Sequence, residues 1–423
     1  MSSPAFSGGA KLTGFARGLT SEGAFDVLAV ARKLKADGKD VIELQIGDSP
    51  FPSTSHARTA GIRAIEENAT HYGPSPGLPS FRETIAANYQ EEFGIPIGPE
   101  NVIVGPGAKI FEQLFCEAFI EAGDEVLVFS PHFPTYGPNI ERRGGRMLLS
   151  ALQESNQFRP NLNDVEAFVK RTTRPRGIFL NSPHNPTGGV ATAEDLAAIG
   201  DLVRGRDIAV FSDEPYCHMA WQTRHVPLLK VPGLIEQTIA AYTFSKSYSM
   251  SGWRLGYAIT SARIAEPMSK MLNTTISCVP PFVQMAGQAA LRSDREERDV
   301  VMAKFQQKVA LLVDALQKVP DVTVSMPPGT FYVFPNVAKI CARTQLTSHG
   351  LAMYLLEGAD DQRGVACLGG ECFGAAGQGF IRFSCAEPDD RLVSAIEFFA
   401  EAVTREDRIK TYRASHPQYH LPT

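Results

Sequence analysis

Short apolar, β-rich runs alternate with amphipathic stretches along much of the chain, and this alternation constrains the fold more than any other feature. The β-rich runs are NVIVG (101–105), DEVLVFSP (124–131), RGIFLNSP (176–183), DIAVFSDEP (207–215), TIAAYTFS (238–245) and WRLGYAIT (253–260). Between them, segments 107–122 and 193–204 repeat apolar residues at the spacing of a helix face. Strands that alternate with helices predict an α/β domain with a mostly parallel sheet.

Length and composition predict a globular protein with more than one domain. Of the residues, 43% are hydrophobic and 21% are charged, which is enough apolar material for a large core. The length of 423 residues exceeds what a single core usually contains. After about residue 275 the pattern changes, because a charged amphipathic stretch from about 283 to 318 precedes short strands and a last helix near 388–404. The predicted parts are an N-terminal segment that packs with the small domain (1–50), a large domain (51–285), a small α+β domain (286–405) and a polar, surface or poorly ordered tail (406–423).

Charge and residue usage exclude several classes of function. The net charge is −5 and the basic residues form no run, so neither nucleic acid nor an anionic membrane is an expected partner, and small molecules are. The seven cysteines form no C-x-x-C pair, which predicts free thiols in a reducing compartment. The nine histidines are dispersed, so no metal site is expected. No leader or span of about 20 apolar residues is visible, which predicts a cytoplasmic protein.

The candidate chemistry lies at the ends of the predicted strands. In an open α/β sheet the ligand crevice lies at the carboxyl ends of the strands, and most of the β-rich runs have Gly, Ser, Asn or Asp among their last three residues. Lys246 directly follows one run, and Arg254 comes eight residues later. A lysine amine can form a Schiff base with a carbonyl cofactor, and a guanidinium can hold its phosphate. A solvated surface lysine is the alternative, so Lys246 needs support from other strand ends.

Four other strand ends give that support, although three of them also have a structural explanation. The backbone N–H groups of 107–109 suit a phosphate at the start of a helix. The ring of Phe133 suits stacking on a planar heteroaromatic, or ordinary core packing. Asn185 could donate a hydrogen bond to a phenolate-like oxygen, or it could simply form a turn. The carboxylate of Asp213 could pair with a protonated pyridine nitrogen, or it could cap a helix. In the first case Tyr216 could form a hydrogen bond with the hydroxyl oxygen of the same ring.

Six motifs together resemble a known family. HYGPSPGLPSFRETIA, GAK, NSPHNPTG, SDEPY, SKSYSMSGWRLGY and GFIRFSCA resemble, in order and spacing, the class I/II pyridoxal-phosphate-dependent aminotransferases of fold type I, in the aspartate aminotransferase branch. The resemblance covers about residues 20–405. It implies a homodimer with sites at the subunit interface, a large domain with a seven-stranded sheet, and a small domain made from both chain ends. Pyridoxal 5'-phosphate is the implied cofactor.

The resemblance also implies a role for each matching residue. Lys246 would form the aldimine with the cofactor, Asp213 would pair with its ring nitrogen, Asn185 and Tyr216 would bond its ring oxygen, and Phe133 would stack on the ring. The implied phosphate ligands are Gly107, Ala108, Lys109, Ser245, Arg254 and a Tyr72 contributed by the second subunit.

Substrate binding is implied for Arg382, Asn185, Gly47 and Lys109. Arg382 would hold the α-carboxylate, which fits GFIRFSCA, where Ile381 and Phe383 share the opposite strand face. The backbone of Gly47 would approach the substrate. A lysine at position 109 would meet a distal carboxylate, which favours aspartate or glutamate, although aromatic and other neutral side chains remain open.

The reaction implied is the transfer of an amino group from an L-amino acid to a 2-oxo acid such as 2-oxoglutarate, through the aldimine on Lys246 and a quinonoid intermediate. A β-lyase or another fold-type I enzyme on the same scaffold is the alternative. Three positions depart from the usual family pattern: Gly47-Asp48-Ser49 where G-x-P is common, Phe133 where Trp or Tyr is common, and Thr243 where Gly or Ser is common. None of these changes removes a group that the reaction requires.

Overall fold

A seven-stranded mixed sheet forms the centre of the larger part of the molecule. The computed structural model describes residues 10–19 and 22–422. Its strand order is β2-β8-β7-β6-β5-β3-β4, with β2 (Val102–Gly105), β3 (Glu125–Ser130), β4 (Arg146–Ala151), β5 (Pro175–Asn181), β6 (Ala209–Asp213), β7 (Thr238–Thr243) and β8 (Gly256–Ile259). All neighbouring pairs are parallel except the two pairs that β8 makes. The predicted α/β class is confirmed.

Two smaller sheets lie outside the central one. The first pairs β1 (Asp40–Glu43) with β10 (Arg363–Ala366) in parallel, and the second has the antiparallel order β11 (Leu368–Gly369), β12 (Ile381–Ser384), β9 (Tyr332–Val333). The apolar core around them contains Val41 and Leu44 from near the amino end together with residues from 302 to 412. Both ends of the chain thus build one core. The division at residues 50 and 285 stays a prediction.

Helices cover the sheets. They are α1 (Gly14–Gly18), α2 (Gly23–Ala36), α3 (Ser55–Glu66), α4 (Pro79–Phe93), α5 (Lys109–Phe119), α6 (Tyr136–Arg142), α7 (Leu162–Arg171), α8 (Ala193–Val203), α9 (Ala262–Ile276), α10 (Pro281–Ser293), α11 (Arg295–Leu316), α12 (Ala338–Thr344), α13 (Ser348–Met353), α14 (Asp389–Ala402) and α15 (Glu406–Ser415). No helix of the described residues combines the length and apolar character needed to cross a membrane.

The local sequence explains why these elements form. The face of α5 that repeats at helical spacing is buried through Phe111, Leu114 and Phe115. Helix α8 begins with a capping box, in which the Thr192 hydroxyl accepts from the Asp195 amide and the Asp195 carboxylate accepts from the Thr192 amide. All six β-rich runs of the sequence contain strands of the central sheet.

The seventh strand, β4, was not among the predicted runs. It lies at the edge of the sheet, where only Ser150 is fully buried and the apolar residues are partly exposed. Its sequence, RMLLSA, neither alternates apolar with polar residues nor contains a long apolar run, so it carries only a weak strand pattern.

The charged amphipathic stretch from about 283 to 318 forms two helices, α10 and α11, with a break at Asp294. This residue is 1% exposed, and its carboxylate accepts from the backbone N–H groups of His56 and Ala57 at 3.2 and 3.0 Å. Those N–H groups belong to the first turn of α3, where they have no partner within the helix. The break therefore places a carboxylate where it caps another helix.

Beyond residue 405, the described segment 406–422 includes a helix that the sequence analysis did not predict. This helix is α15, which buries Ile409 and Tyr412, and the Tyr412 hydroxyl donates to Glu357 Oε1 at 2.6 Å. Most other residues of α15 are exposed. Because two buried residues in one short helix make no visible period, the sequence pattern alone does not predict it.

Strand direction places several chain segments at one edge of the sheet. Asn181, Asp213 and Ala241 lie side by side near the carboxyl ends of β5, β6 and β7. β8 runs in the opposite direction, so its amino end, which Arg254 precedes, lies at that edge too. β2 pairs antiparallel with β8 and therefore ends there at Gly105.

Phe115 tests the packing of helix against sheet. Its ring lies 5.2 Å from Phe179 on β5 and 5.6 Å from Phe211 on β6, and it is fully buried. We expect Phe115→Ala to reduce the free energy of unfolding by about 3–5 kcal/mol, because it removes a buried ring and leaves a cavity. The measurement is denaturant unfolding. As a control, Leu149→Ala on the exposed side of β4 should change stability by about 0.5 kcal/mol or less. A loss for Phe115→Ala no larger than this control would contradict the packing.

Candidate active site

A cavity of ≈ 470 Å³ opens at the carboxyl edge of the central sheet. It lies between this sheet and the apolar core that both chain ends build around the two smaller sheets, called the second core below. Every site residue that the sequence analysis predicted lines this cavity except Gly107 and Tyr72. The lining residues come from β6, from the turn after β7, from the start of α5, from the loop after β1 and from β12. Strand ends that are far apart in the sequence therefore meet at one place.

Lys246 lies in the turn after β7, and its amine reaches toward the second core. Nζ donates to the carbonyl oxygen of Gly47 at 2.5 Å. It also lies 5.8 Å from the ring centroid of Tyr216 and 5.6 Å from that of Phe331. Among the described residues, no carboxylate lies at ion-pair distance from this amine. Its proton-bearing nitrogen is thus directed into the cavity with one neutral acceptor.

Asp213 ends β6 as a buried carboxylate, 6% exposed. The hydroxyl of Tyr136 donates to its Oδ2 at 2.5 Å. Burial raises the pKa of the Asp213 carboxyl to about 6, although the hydrogen bond from Tyr136 acts in the opposite direction. No lysine or arginine of the described residues forms an ion pair with it. A buried carboxylate that has no ion-pair partner would be stabilised by a cationic group of a ligand.

Arg382 on β12 crosses from the second core toward the sheet edge. Its Nη1 donates to Asn185 Oδ1 at 2.9 Å and its Nη2 to the carbonyl oxygen of Gln45 at 2.6 Å. The guanidinium lies over the ring of Tyr332, 4.3 Å from its centroid, and is almost completely buried. Nε has no hydrogen-bond partner among the described residues. Both acceptors are neutral, so the positive charge of Arg382 remains uncompensated at the cavity wall.

The start of α5 forms a second positively charged corner of the cavity. Gly107 has a φ of +87°, which L side chains rarely adopt, and a Cβ there would lie 2.6 Å from Arg254 Nη2. Arg254 donates to the carbonyl oxygens of Ser251 and Pro106 at 2.9 and 3.1 Å. Ser245 lies nearby and accepts from the Thr243 hydroxyl at 2.9 Å. Free N–H groups at a helix start beside a guanidinium can bind an anion.

Tyr332 is a cavity residue that the sequence analysis missed. Its hydroxyl shares a hydrogen bond with the Tyr216 hydroxyl at 3.0 Å. Burial raises the pKa of Tyr216 well above its ordinary value, and the neighbouring Tyr332 raises it further. A Cβ built on Gly47 would lie 1.8 Å from the Tyr332 hydroxyl oxygen, so no side chain fits at position 47. Tyr332 belongs to an apolar run, GTFYVFP, whose pattern indicates only a strand.

Tyr136 and Glu112 were also missed. Tyr136 follows Phe133 by three residues, and its hydroxyl reaches Asp213, 77 residues further along the chain, so no local sequence signal indicates this contact. Glu112 lines the cavity from the first turn of α5 and is 2% exposed. It accepts from Thr135 Oγ1 at 2.5 Å and from Asn139 Nδ2 at 3.3 Å. Burial, followed by the charge of Asp213, raises the pKa of Glu112 well above its ordinary range.

Tyr72 lies apart from this arrangement. Its side chain is 90% exposed and does not line the cavity. The role given to it by the resemblance requires a second subunit and stays a prediction.

Comparisons with known proteins agree with this fold and cavity. The family described as aminotransferase class I and II matches residues 39–397. An aspartate aminotransferase of Pyrococcus horikoshii is 34% identical over 371 residues, which are 87% of this chain and 92% of that protein. An aromatic-amino-acid aminotransferase of Thermococcus litoralis is 30% identical and covers 87% of this chain and 93% of its own length. The solved structure of the Thermus thermophilus aspartate aminotransferase with maleate superimposes with a TM-score of 0.86 at 28% identity, covering 93% of this chain and 100% of that one.

The fold and the family match define the chain as a member of the class I and II aminotransferases. Within them it is an aspartate-aminotransferase-like enzyme of fold type I. Enzymes of this family depend on pyridoxal 5'-phosphate, which is therefore its cofactor.

The contact between Gly47 and Tyr332 generates a prediction about the cavity wall. We expect Gly47→Ala to reduce the free energy of unfolding by about 1–3 kcal/mol, because its Cβ overlaps the Tyr332 hydroxyl. Combining it with Tyr332→Phe should recover part of the loss, since the overlapping oxygen is then absent. Denaturant unfolding of both single variants and the double variant measures this coupling. Strictly additive losses would contradict the predicted contact.

Proposed function

We propose that the chain transfers the amino group of an L-amino acid to a 2-oxo acid such as 2-oxoglutarate, with the chemistry carried out in the cavity described above. One observation carries the proposal. The amine of Lys246, the carboxylate of Asp213 and the guanidinium of Arg382 line the same cavity, and among the described residues none of the three forms an ion pair. Three uncompensated charges in one cavity suit a ligand that carries the opposite charges at matching places.

The residues present fit the cofactor. Pyridoxal phosphate has a phosphate dianion, and the corner formed by Gly107, Ala108 and Lys109 with Ser245 and Arg254 offers the backbone N–H groups of Ala108 and Lys109, a hydroxyl and a guanidinium. The Gly107 N–H donates to the carbonyl oxygen of Gly105 at 2.8 Å. Arg254 has only carbonyl partners among the described residues. We propose these five residues as the phosphate site, because helix-start N–H groups and arginine are common phosphate ligands.

The ring site is proposed from the groups beside Lys246. Asp213 would hold a proton on the ring nitrogen, since a buried carboxylate is stabilised by a cation. Tyr216 and Asn185 would bond the ring oxygen. Asn185 accepts from Arg382 through Oδ1, which leaves its amide NH₂ as the donor that it can offer to a ligand. Phe133 would cover one face of the ring. When bound, the cofactor supplies an aldehyde that combines with amines and a protonated ring that accepts electrons.

Proton transfer is proposed for Lys246. Arg382 would bind the substrate α-carboxylate in a two-pronged contact, with Asn185 beside it, and Gly47 would leave room for the substrate because no side chain fits there. This fixes the position of the α-hydrogen relative to Lys246. Once its nitrogen has been released from the cofactor aldehyde, Lys246 Nζ would take the proton from Cα as a general base and deliver it again on the cofactor side.

Acidic substrates are the favoured class in this proposal, with aromatic ones also accepted. Lys109 supplies a fourth cationic group of the cavity lining and lies 5.0 Å above the ring of Phe133. A distal carboxylate of aspartate or glutamate would reach it. The names of the relatives include aspartate, aspartate/prephenate and aromatic-amino-acid aminotransferases, which supports both classes.

Three further parts of the assignment are also proposals. The chain would act as a homodimer in which Tyr72 reaches the phosphate site of the second subunit, and the exposure of Tyr72 agrees with this arrangement. The large domain would span 51–285, and the small domain 286–405 together with 1–50. The enzyme would work in the cytoplasm.

Absorbance spectroscopy tests the reaction. We expect the purified holoenzyme to be yellow and its band to be lost on addition of L-aspartate or L-glutamate, because the amino group moves to the cofactor. Adding 2-oxoglutarate should restore the band. If no amino acid of a full panel changes the spectrum, the aminotransferase proposal fails. Release of pyruvate and ammonia without a 2-oxo acid would instead identify a β-lyase.

Lysine variants are the control for that experiment. Lys246→Ala should reduce turnover at least about 1,000-fold, since it removes the proposed general base and cofactor-binding amine together. Lys270→Ala, which removes an exposed lysine paired with Glu266, should have no effect. Equal activity of the two variants would contradict the role of Lys246.

The contact between Tyr136 and Asp213 predicts a pH dependence. Asp213 must be ionised to pair with a ring nitrogen, so cofactor affinity should fall as the pH falls through about 6. Because the hydrogen bond from Tyr136 lowers the pKa of Asp213, Tyr136→Phe should raise that pKa and move the affinity midpoint to higher pH. Titration of the apoprotein with cofactor from pH 5 to 8 measures the midpoint. Tyr354→Phe, a buried change far from the cavity, is the matched control. A midpoint for Tyr136→Phe that stays in place or moves to lower pH would contradict the assignment.

A further inference from the structure

Lys109 differs from the other cations of the cavity in its partner. Lys246, Arg254 and Arg382 donate to carbonyl or amide oxygens. Lys109 Nζ instead forms an ion pair with Glu22 Oε1. Among the described residues, Lys109 is the cation of the cavity lining whose charge is neutralised by a carboxylate.

Glu22 is placed for this contact by the N-terminal segment. It immediately precedes α2, at the position where a side chain often caps the helix, yet its carboxylate makes no cap hydrogen bond. The carboxylate extends across 87 residues of sequence separation to the first residue of α5. Its side chain is 21% exposed and that of Lys109 is 44% exposed, and both residues line the cavity.

The other acid close to Lys109 does not take this place. Glu112 also lies in the first turn of α5, three residues after Lys109, and its Oε2 already accepts from Thr135 and Asn139. Burial raises the pKa of Glu112 well above its ordinary range, which favours its neutral form, and among the described residues the ion pair of Lys109 is with Glu22 and not with Glu112. The compensating charge comes from Glu22.

We propose that Glu22 is a specificity-determining residue that occupies Lys109 in place of the side-chain carboxylate of an acidic substrate. An acidic substrate must displace Glu22 to reach Lys109, whereas a neutral one need not. The Glu22 contact therefore lowers the preference for acidic over neutral amino acids and brings both classes within reach of one site. This inference rests on the proposed aminotransferase function.

A different role would have a different consequence. If the ion pair only fastened the N-terminal segment over the cavity, its loss would affect acidic and neutral substrates equally. The ratio of kcat/KM for the two classes therefore separates competition from fastening.

Kinetics of the holoenzyme with L-aspartate and L-phenylalanine test the proposal. We expect Glu22→Gln to raise the ratio of kcat/KM for L-aspartate to that for L-phenylalanine about fivefold, the upper range for a partly exposed ion pair. Glu67→Gln, which breaks an ion pair with Arg63 away from the cavity, is the matched control and should leave the ratio unchanged. An unchanged or lower ratio in Glu22→Gln overturns the proposal.

A double-mutant cycle shows whether the effect passes through Lys109. Lys109→Met should lower the ratio by itself, and in its background Glu22→Gln should have no further effect. If Glu22→Gln still raises the ratio in the absence of Lys109, the competition mechanism is wrong.

A binding measurement separates this inference from the proposed function. Calorimetry with succinate, a dicarboxylate, and butyrate, a monocarboxylate of equal length, requires no turnover. We expect Glu22→Gln holoenzyme to bind succinate about fivefold more tightly relative to butyrate than the unmodified chain does. An equal succinate-to-butyrate affinity ratio in the two proteins overturns the role of Glu22. Absence of amino transfer with a raised ratio would overturn the proposed function and leave the role of Glu22 supported.

Discussion

The direction of the strands is the constraint on which the rest of this structure depends. Because β5, β6 and β7 are parallel, their polar terminal residues meet at one edge, and antiparallel β8 brings Arg254 to the same edge. Asp213 is buried there with a neutral donor, Tyr136, as its partner. A buried carboxylate with a raised pKa is costly to the fold. Such a cost is typical of a site that a ligand completes.

The second core closes this edge with polar contacts. Lys246 donates to the Gly47 carbonyl oxygen, and Arg382 donates to Asn185. Each contact joins a residue of the central sheet region to a residue of the part of the molecule that the two chain ends build. Gly47 also lies so close to Tyr332 that a Cβ would overlap its hydroxyl. The cavity therefore depends on how closely the two cores approach, as well as on its own residues.

Much of the architecture and most of the candidate site followed from local sequence. Apolar runs gave six of the seven central strands, because buried strands need apolar residues on both faces. The edge strand β4 and the helix α15 bury few residues, so their patterns were too weak to predict. Motifs with fixed spacing, such as the one around Lys246, indicated the family that the comparisons confirm.

The sequence by itself determined the alternation of strands and helices, the polar residues at strand ends and the aminotransferase family. The tertiary structure decided which distant residues complete the cavity. Tyr332 meets Tyr216 across 116 residues, and Glu22 meets Lys109 across 87. Neither pair leaves a pattern in the sequence, because its members contact each other only after the chain ends have packed against the sheet edge.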